Sequence, residues 1–379
     1  MYKQYFKQAL QSIKENPLVS TISIAGTALS IAMIMVVVMI FQIKSANYAP
    51  EDKRDRMLYI SGTQVVSKDE KNRNRGNMSA EAIRECFYSL EIPEAATGFS
   101  TTTKPISLPG KRLFNSYSIK YTDPGFWTVF DFSFVKGTPF SKEDFSSGIA
   151  SAVISETLAK EVFGTIDAVG KTCILDFTEY TIKGVAKPVT KAAQDAYADM
   201  WVPYTSKSSL IQPHTPTENM YGPFSVCLLA SQRSDFNKIR EELKRRTAAY
   251  NAGKKDNYID FMDNPLNKIN IAMGSDGFNK KPLKDFLLQT GSILLFLLFV
   301  PALNLTGVIQ SSVQKRQAEI GVRKAFGATS GRILTQVLWE NLVITLIGML
   351  IGTVLSFIFL NIGKNFLLSE GTDLTVNML

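Results

Sequence analysis

Three stretches of this 379-residue chain carry no charged side chain: Leu18 to Ile43 (26 residues), Phe286 to Gln314 (29) and Asn341 to Gly363 (23). An α-helix rises about 1.5 Å per residue, so a hydrocarbon core about 30 Å thick takes about 20 residues. Each stretch is long enough to cross, and each exceeds what a buried helix of a soluble protein needs. The other 301 residues hold all 76 charges, a quarter of their number, which is an ordinary soluble density. The pattern predicts an α-helical membrane protein with three transmembrane helices and a large α+β extracytoplasmic domain held between the first two.

The first stretch invites comparison with a cleaved signal peptide, because Lys3, Lys7 and Lys14 precede it. Its apolar run is about twice the usual length, and no small-x-small cleavage site follows. Phe41-Gln42-Ile43-Lys44 therefore reads as the end of an uncleaved anchor.

Orientation follows from the basic residues of the short loops. Residues 1–17 hold three lysines and one acid, and 315–340 hold Lys315, Arg316, Arg323, Lys324 and Arg332 against Glu319 and Glu340. Both are expected in the cytosol, leaving the long middle region outside. The expected organisation is a cytosolic amphipathic helix (1–17), spans at 18–43, 286–314 and 341–363, an external domain (44–285) with two subdomains, a cytosolic loop (315–340) and an external tail (364–379). In 1–17, Tyr2, Tyr5, Phe6, Ala9, Leu10 and Ile13 share one helical face, as an interfacial helix requires.

Within 44–285, strand-like runs lie at 56–61, 114–121, 151–155, 174–177, 180–185, 200–204, 224–230 and 268–273. Helices are expected from a Ser79 cap to about Leu90, over Glu156–Phe163 with Gly164 as the stop, and over Asp235–Tyr250 from a Ser234 cap. Stretches near 103–111, 186–198 and 209–223 read as loops or subdomain joints.

Catalytic patterns are absent from the sequence. A single histidine, His214, leaves no metal cluster and little room for a Ser/His/Asp triad. Gly164 to Thr172 imitates a phosphate-binding loop, but five residues separate its first glycine from Gly170-Lys171-Thr172 where four are needed. A tight turn into a hairpin is the better assignment. Asp123, Asp131, Glu143 and Asp144 lie near turns and read as solvated or capping residues; Asp285 reads as an interface residue at the outer end of the second span. Cys86, Cys173 and Cys227 leave one disulfide or buried free thiols as open alternatives. The chain is expected to be no enzyme, to bind no cofactor or metal, and to meet no nucleic acid. Of its net charge of +8, residues 1–17 contribute +2 and 311–340 contribute +3, so the basicity speaks for topology.

Inside the spans, Pro301 removes a backbone hydrogen bond and Asn304 places an amide near the middle of the second helix. A packed kink and a hinge both fit them. Gly348 and Gly352, four apart, allow close helix contact in the third.

The loop Ser311 to Leu334 predicts a short helix crosswise under the membrane. Ile320, Lys324 and Gly327 share a side, Gly327 ends the helix and Ser330 starts the next. Here Arg316, Glu319-Ile320-Gly321, Arg323, Ala325 and Gly327-Ala328, then Glu340, resemble the signature of the MacB/FtsX-type ABC transporter permeases. Asp131 to Phe140, Asp144, Ala152 to Ser155, Ala159 to Gly164, Val169-Gly170-Lys171 and Ile182 to Val185 resemble that family's periplasmic core domain. Asn16-Pro17 through Gly26 and Ala28-Leu29-Ser30 are similar to its first span.

The resemblance implies a permease in the bacterial inner membrane, its N-terminus cytosolic and its large domain periplasmic. It implies a homodimer or heterodimer with a second permease, bedded in lipid, with a separate cytosolic ATPase that uses ATP and Mg²⁺. Arg316, Glu319, Ile320, Gly321, Arg323, Lys324, Gly327 and Ala328 would form the ATPase-coupling segment, with Glu319 and Arg323 in polar docking. The family expects four spans, so a fourth is missing after residue 363. Export of peptides or drugs is the expected role, beside lipoprotein release and control of cell-wall hydrolases. A membrane-anchored sensor or adaptor without an ATPase is the alternative of a different class.

Overall fold

The structure, a computed structural model, describes residues 11, 13–14, 17–110, 115–212, 219–315, 317–327 and 329–367. The interfacial helix expected over 1–17 and the tail 368–379 fall almost entirely outside them. The chain divides into two compact units, one made by the long apolar helices and one by residues 43–281.

The first unit holds helices Pro17–Ser45, Leu283–Lys315, Gln317–Ala325 and Ser330–Leu367. Among the described residues, three segments are long and apolar enough to cross a membrane: Ser20–Ser45, Leu283–Leu303 and Ile333–Phe359. The third starts eight residues before the charge-free stretch, because the helix begins at Ser330 and runs on without a break. Ser20, Ser23, Thr27, Ala28, Ser30 and Ala32 are buried, so the first helix packs through a face of small residues. Without a hydrophobic drive between helices in lipid, such faces are what let backbones approach. Phe41 and Phe286 stack at 5.7 Å between ring centroids.

The second unit is α+β. Its strands in chain order are β1 (Met57–Ile60), β2 (Thr63–Ser67), β3 (Arg73–Met78), β4 (Ala95–Ser107), β5 (Ser116–Thr122), β6 (Phe134–Gly137), β7 (Ser151–Ser155), β8 (Thr172–Leu175), β9 (Thr178–Ala186), β10 (Met200–Pro203), β11 (Tyr221–Gly222), β12 (Ser225–Leu229), β13 (Asn257–Asp260) and β14 (Leu266–Asn267). The large sheet runs β14-β1-β12-β4-β5-β10-β7-β9-β6, and β8 pairs with both β4 and β9. The path β4-β5-β10-β7-β9-β8 therefore returns to β4 and closes a six-stranded barrel, sealed by Ile106 opposite Leu175 and Ser107 opposite Ile174. Closure removes the open edges that a strand ladder otherwise presents. The smaller sheet is β11-β3-β2-β13.

β1 is buried on both faces. Leu58 and Ile60 enter one apolar core with Ile119, Tyr121, Ile154, Val202 and Leu228. Met57 and Tyr59 enter the other with Phe126, Phe130, Trp201, Cys227 and Leu229. Alternation along the strand thus feeds two cores at once.

Local signals set several ends. Ser79 accepts from Ala82 N and caps helix Ala80–Cys86; Ser155 accepts from Leu158 N and caps Glu156–Phe163, which ends on Gly164 at φ 71°. Other expectations are corrected. Lys268–Ala272 is a helix, because the Asn267 side chain accepts from Asn270 N at 2.8 Å and turns the chain. Helix Phe236–Ala252 follows a 3₁₀ turn at Arg233–Asp235, and Ser234 does not cap it. The loop expected near 103–111 is strand as far as Ser107. The hairpin β2–β3 had no signal, since Arg73-Asn74-Arg75-Gly76-Asn77 is polar and its strand form comes from pairing with β2.

Candidate functional site

The segment that sequence singled out lies between the last two long helices. Helix Gln317–Ala325 continues through Phe326 N to Val322 O at 3.0 Å, and Gly327, at φ 88°, ends it in the left-handed conformation that glycine takes without strain. The last long helix then starts at Ser330. Ile320 is half-buried, while Gly321, Val322, Lys324, Ala325 and Phe326 are exposed. Phe326 is 88% exposed and Val322 56%. Two apolar side chains, four apart, are therefore left uncovered among the described residues. Arg316 and Ala328 lie outside the described residues, and so do the side chains of Glu319 and Arg323, whose backbones sit in the helix.

Pro301 lies inside the second long helix. The side chain of Asn304 lies outside the described residues. Gly348 and Gly352 face the first helix. A Cβ at Gly348 would stand 2.9 Å from Thr27 Cβ, and one at Gly352 would stand 2.6 Å from the Ala28 carbonyl oxygen.

The α+β unit holds a charged cluster that no sequence signal marked. Glu51 and Arg54 form an ion pair at 2.6 Å with both side chains fully buried. Arg54 also donates to the carbonyls of Ile43 and Ala46 (both 3.0 Å) and Ala192 (3.2 Å), and to the Tyr48 hydroxyl (2.6 Å). Lys268 Nζ lies 2.9 Å from Asp195 and 3.4 Å from Glu51. Ala196 N donates to Glu51 at 3.1 Å, and buried Lys120 donates to the carbonyls of Gln194 (3.2 Å) and Asp195. Arg54, Lys268 and Lys120 thus gather around the fully buried Glu51 and the partly exposed Asp195. Isolated charges there would be costly; each is held by a counter-charge or by carbonyl oxygens. Burial pulls Lys120 down to about 8, since no carboxylate oxygen bonds it directly, although Asp195 and Glu51 work against that fall. Burial also acts against the charge on Lys268, but Asp195 and Glu51 outweigh it and leave Lys268 above its usual value.

Asp123, expected at a solvated turn, is buried. It accepts from the Tyr88 hydroxyl (2.5 Å), Gly98 N (2.6 Å) and Thr97 (3.2 Å), and burial raises its carboxyl to about 6 despite these bonds. Asp144 closes a capping box with Ser141. The phosphate-loop-like stretch is a turn: Gly170 N donates to Ile182 O at 2.8 Å and leads into the β8–β9 hairpin. All three cysteines are buried and free. Among the described residues, no three His, Cys, Asp or Glu side chains gather as metal ligands.

Comparison with known proteins gives two family matches. The model of the MacB-like periplasmic core domain matches residues 20–246, and that of the FtsX-like permease C-terminal region matches residues 291–377. The chain is 26% identical over 358 residues to the uncharacterized ABC transporter permease YknZ of Bacillus subtilis, covering 91% of this chain and 83% of that protein. It is 22% identical over 359 residues to the macrolide export ATP-binding/permease protein MacB of Chromobacterium violaceum, covering 93% of this chain and 52% of that protein. The chain thus spans about half the length of that MacB. The solved periplasmic region of MacB from Actinobacillus actinomycetemcomitans aligns at a TM-score of 0.39 and 16% identity, over 56% of this chain and 90% of that one.

Proposed function

Because this chain belongs to the MacB/FtsX-type ABC transporter permeases, we propose that it couples ATP hydrolysis by a separate cytosolic ATPase to conformational change of its α+β domain on the far side of the membrane. The output is export of peptides or drugs, or mechanical transmission to another extracytoplasmic protein. The observation that carries this proposal is the short helix Gln317–Ala325, set between two apolar helices and ended by Gly327, with Val322 and Phe326 uncovered. Exposed apolar side chains beside cations are what a docking surface for another protein needs. Glu319 and Arg323 would add the polar contacts.

In this scheme the chain itself is no enzyme and binds no cofactor; ATP and Mg²⁺ belong to the ATPase. The spans sit in a bacterial inner membrane with the N-terminus and the 315–340 loop in the cytosol, and the α+β domain in the periplasm. A second copy or a second permease completes the membrane part.

Co-purification in detergent with the MacB-type ATPases of the same organism tests the assignment. Charge reversal by Glu319→Lys with Arg323→Glu is expected to abolish association or stimulated ATP hydrolysis and leave membrane insertion intact. Full retention of stimulated hydrolysis in that double variant would refute it.

A further inference from the structure

Two chain segments connect the α+β unit to the apolar helices. The incoming one, residues 43–62, continues from the first long helix; the outgoing one, residues 264–281, leads to the second. Nothing in the sequence demands that they meet, yet they meet at three levels.

At the first level they are paired strands, β1 and β14, with Leu58 opposite Asn267 and Tyr59 opposite Leu266. At the second, Gly62 and Gly277 press backbone on backbone. A Cβ at Gly277 would fall 2.5 Å from Gly62 N, and one at Gly62 would fall 3.0 Å from the Gly277 carbonyl. The Asn264 amide spans this contact, donating to Gly62 O at 2.9 Å and Gly277 O at 2.7 Å. At the third, outgoing Lys268 bonds incoming Glu51 and the Asp195 carboxylate together. Arg54 and Glu51 hold the 192–196 loop through Ala192 O and Ala196 N, and barrel residue Lys120 holds the same loop through Gln194 O and Asp195 O.

We infer that the two segments form one closed two-chain stem, fastened to the barrel through the 192–196 loop, and that the stem stays closed while the domain moves. The reason is chemical. Sliding one segment past the other strips Lys268 from both its carboxylates and leaves its nearly buried ammonium without a counter-charge, while Glu51 keeps Arg54; a low-dielectric interior penalises such an unpaired charge heavily. It also separates two glycine backbones that no side chain could follow to fill. Motion therefore belongs to bonds outside the stem, and both connections deliver it together. That the domain moves at all rests on the proposed function; closure of the stem does not.

Two experiments on the full chain decide it. In detergent, hydrogen exchange of Lys268→Met is expected to rise tenfold or more at 48–60, 192–196 and 264–272 together, with β7 and β9 unchanged. A rise confined to 264–272 would overturn the inference. The second uses Leu58→Cys with Asn267→Cys in a Cys227→Ala background. Paired strand residues lie within disulfide reach. Reconstituted with the ATPase, oxidised and reduced forms are expected to hydrolyse ATP at the same stimulated rate. A severalfold loss on oxidation, restored by dithiothreitol, would show that the segments must part. A reduced form that gives no stimulation at all counts against the proposed function instead, and the exchange experiment still decides the stem.

Discussion

Gly352 of the last long helix stands against Ala28 of the first, so close that a Cβ there would come within 2.6 Å of the Ala28 carbonyl oxygen. Gly348, one turn earlier, bears on the Thr27 side chain, its Cβ position 2.9 Å from Thr27 Cβ. Real side chains do not reach such distances, and a backbone carbonyl cannot rotate aside as a side chain does.

Gly352→Leu is therefore expected to drive these two helices apart. Overpacking of this kind costs about 1–3 kcal/mol. Thermal unfolding in detergent, followed by size-exclusion profile, should show a lower midpoint and a lower yield. Gly307→Ala is the control, because a Cβ at Gly307 meets nothing within 4 Å. Equal behaviour of the two variants would remove the close contact from the account.

The β8–β9 hairpin turns on Asp176 at φ 47° and Phe177 at φ 63°, and Phe177 is fully exposed. Two-residue turns with positive φ favour Asp-Gly, and a bulky side chain there is strained by roughly 1–3 kcal/mol. Phe177→Gly creates that favoured pair. It is expected to stabilise the α+β domain by about 1 kcal/mol, read as a midpoint raised by about 2–4 °C. An unchanged or lower midpoint would mean that the ring makes a contact in the intact protein.

Asp123 carries a pH dependence of unusual sign. Its carboxyl is raised from 3.8 to about 6 by burial, so between these values the folded chain holds a proton that the unfolded chain has lost. Stability from this group is then greatest below pH 4 and falls as pH rises towards 6, by about 3 kcal/mol at most. Asp144 and Asp176, held low by their hydrogen bonds and lysines, push the other way. Comparison with Asp123→Asn isolates the effect: the midpoint of the native chain minus that of the variant should shrink from pH 4 to pH 6. A flat difference would place the Asp123 titration elsewhere.

Phe326 separates docking from folding. At 88% exposure it contributes little packing within this chain, so Phe326→Ser should leave the stability within about 0.5 kcal/mol of the parent and the thermal midpoint nearly unmoved. Stimulated ATP hydrolysis should fall at least tenfold if the ring anchors the ATPase, as a central apolar anchor is worth about 2 kcal/mol. A midpoint that drops in step with activity would make Phe326 structural.

Much of the site and fold was legible because some signals are local. A charge-free run of more than 20 residues announces a span whatever surrounds it. Ser79 caps, and Gly164 and Gly327 stop, within one helical turn of their own position. The Gly-Ala motif with its basic neighbours marked the segment between the last two helices for the same reason.

Burial is not local. Glu51, Arg54, Lys120 and Asp123 have the spacing of ordinary surface charges, and only strands and loops distant in sequence remove them from water: β4 covers Asp123, and the 192–196 loop covers the other three. The same holds for the return of β8 to β4 and for the meeting of Glu51 with Lys268, 217 residues away. The sequence by itself determined where the chain is apolar enough for a bilayer and where helices with local signals, such as Glu156–Phe163, begin and end, since hydropathy and capping act over one to a few turns. Tertiary structure alone decided which charges are buried together and that the two connections share one stem, because the free energy of a buried charge is set by partners that sequence spacing does not name.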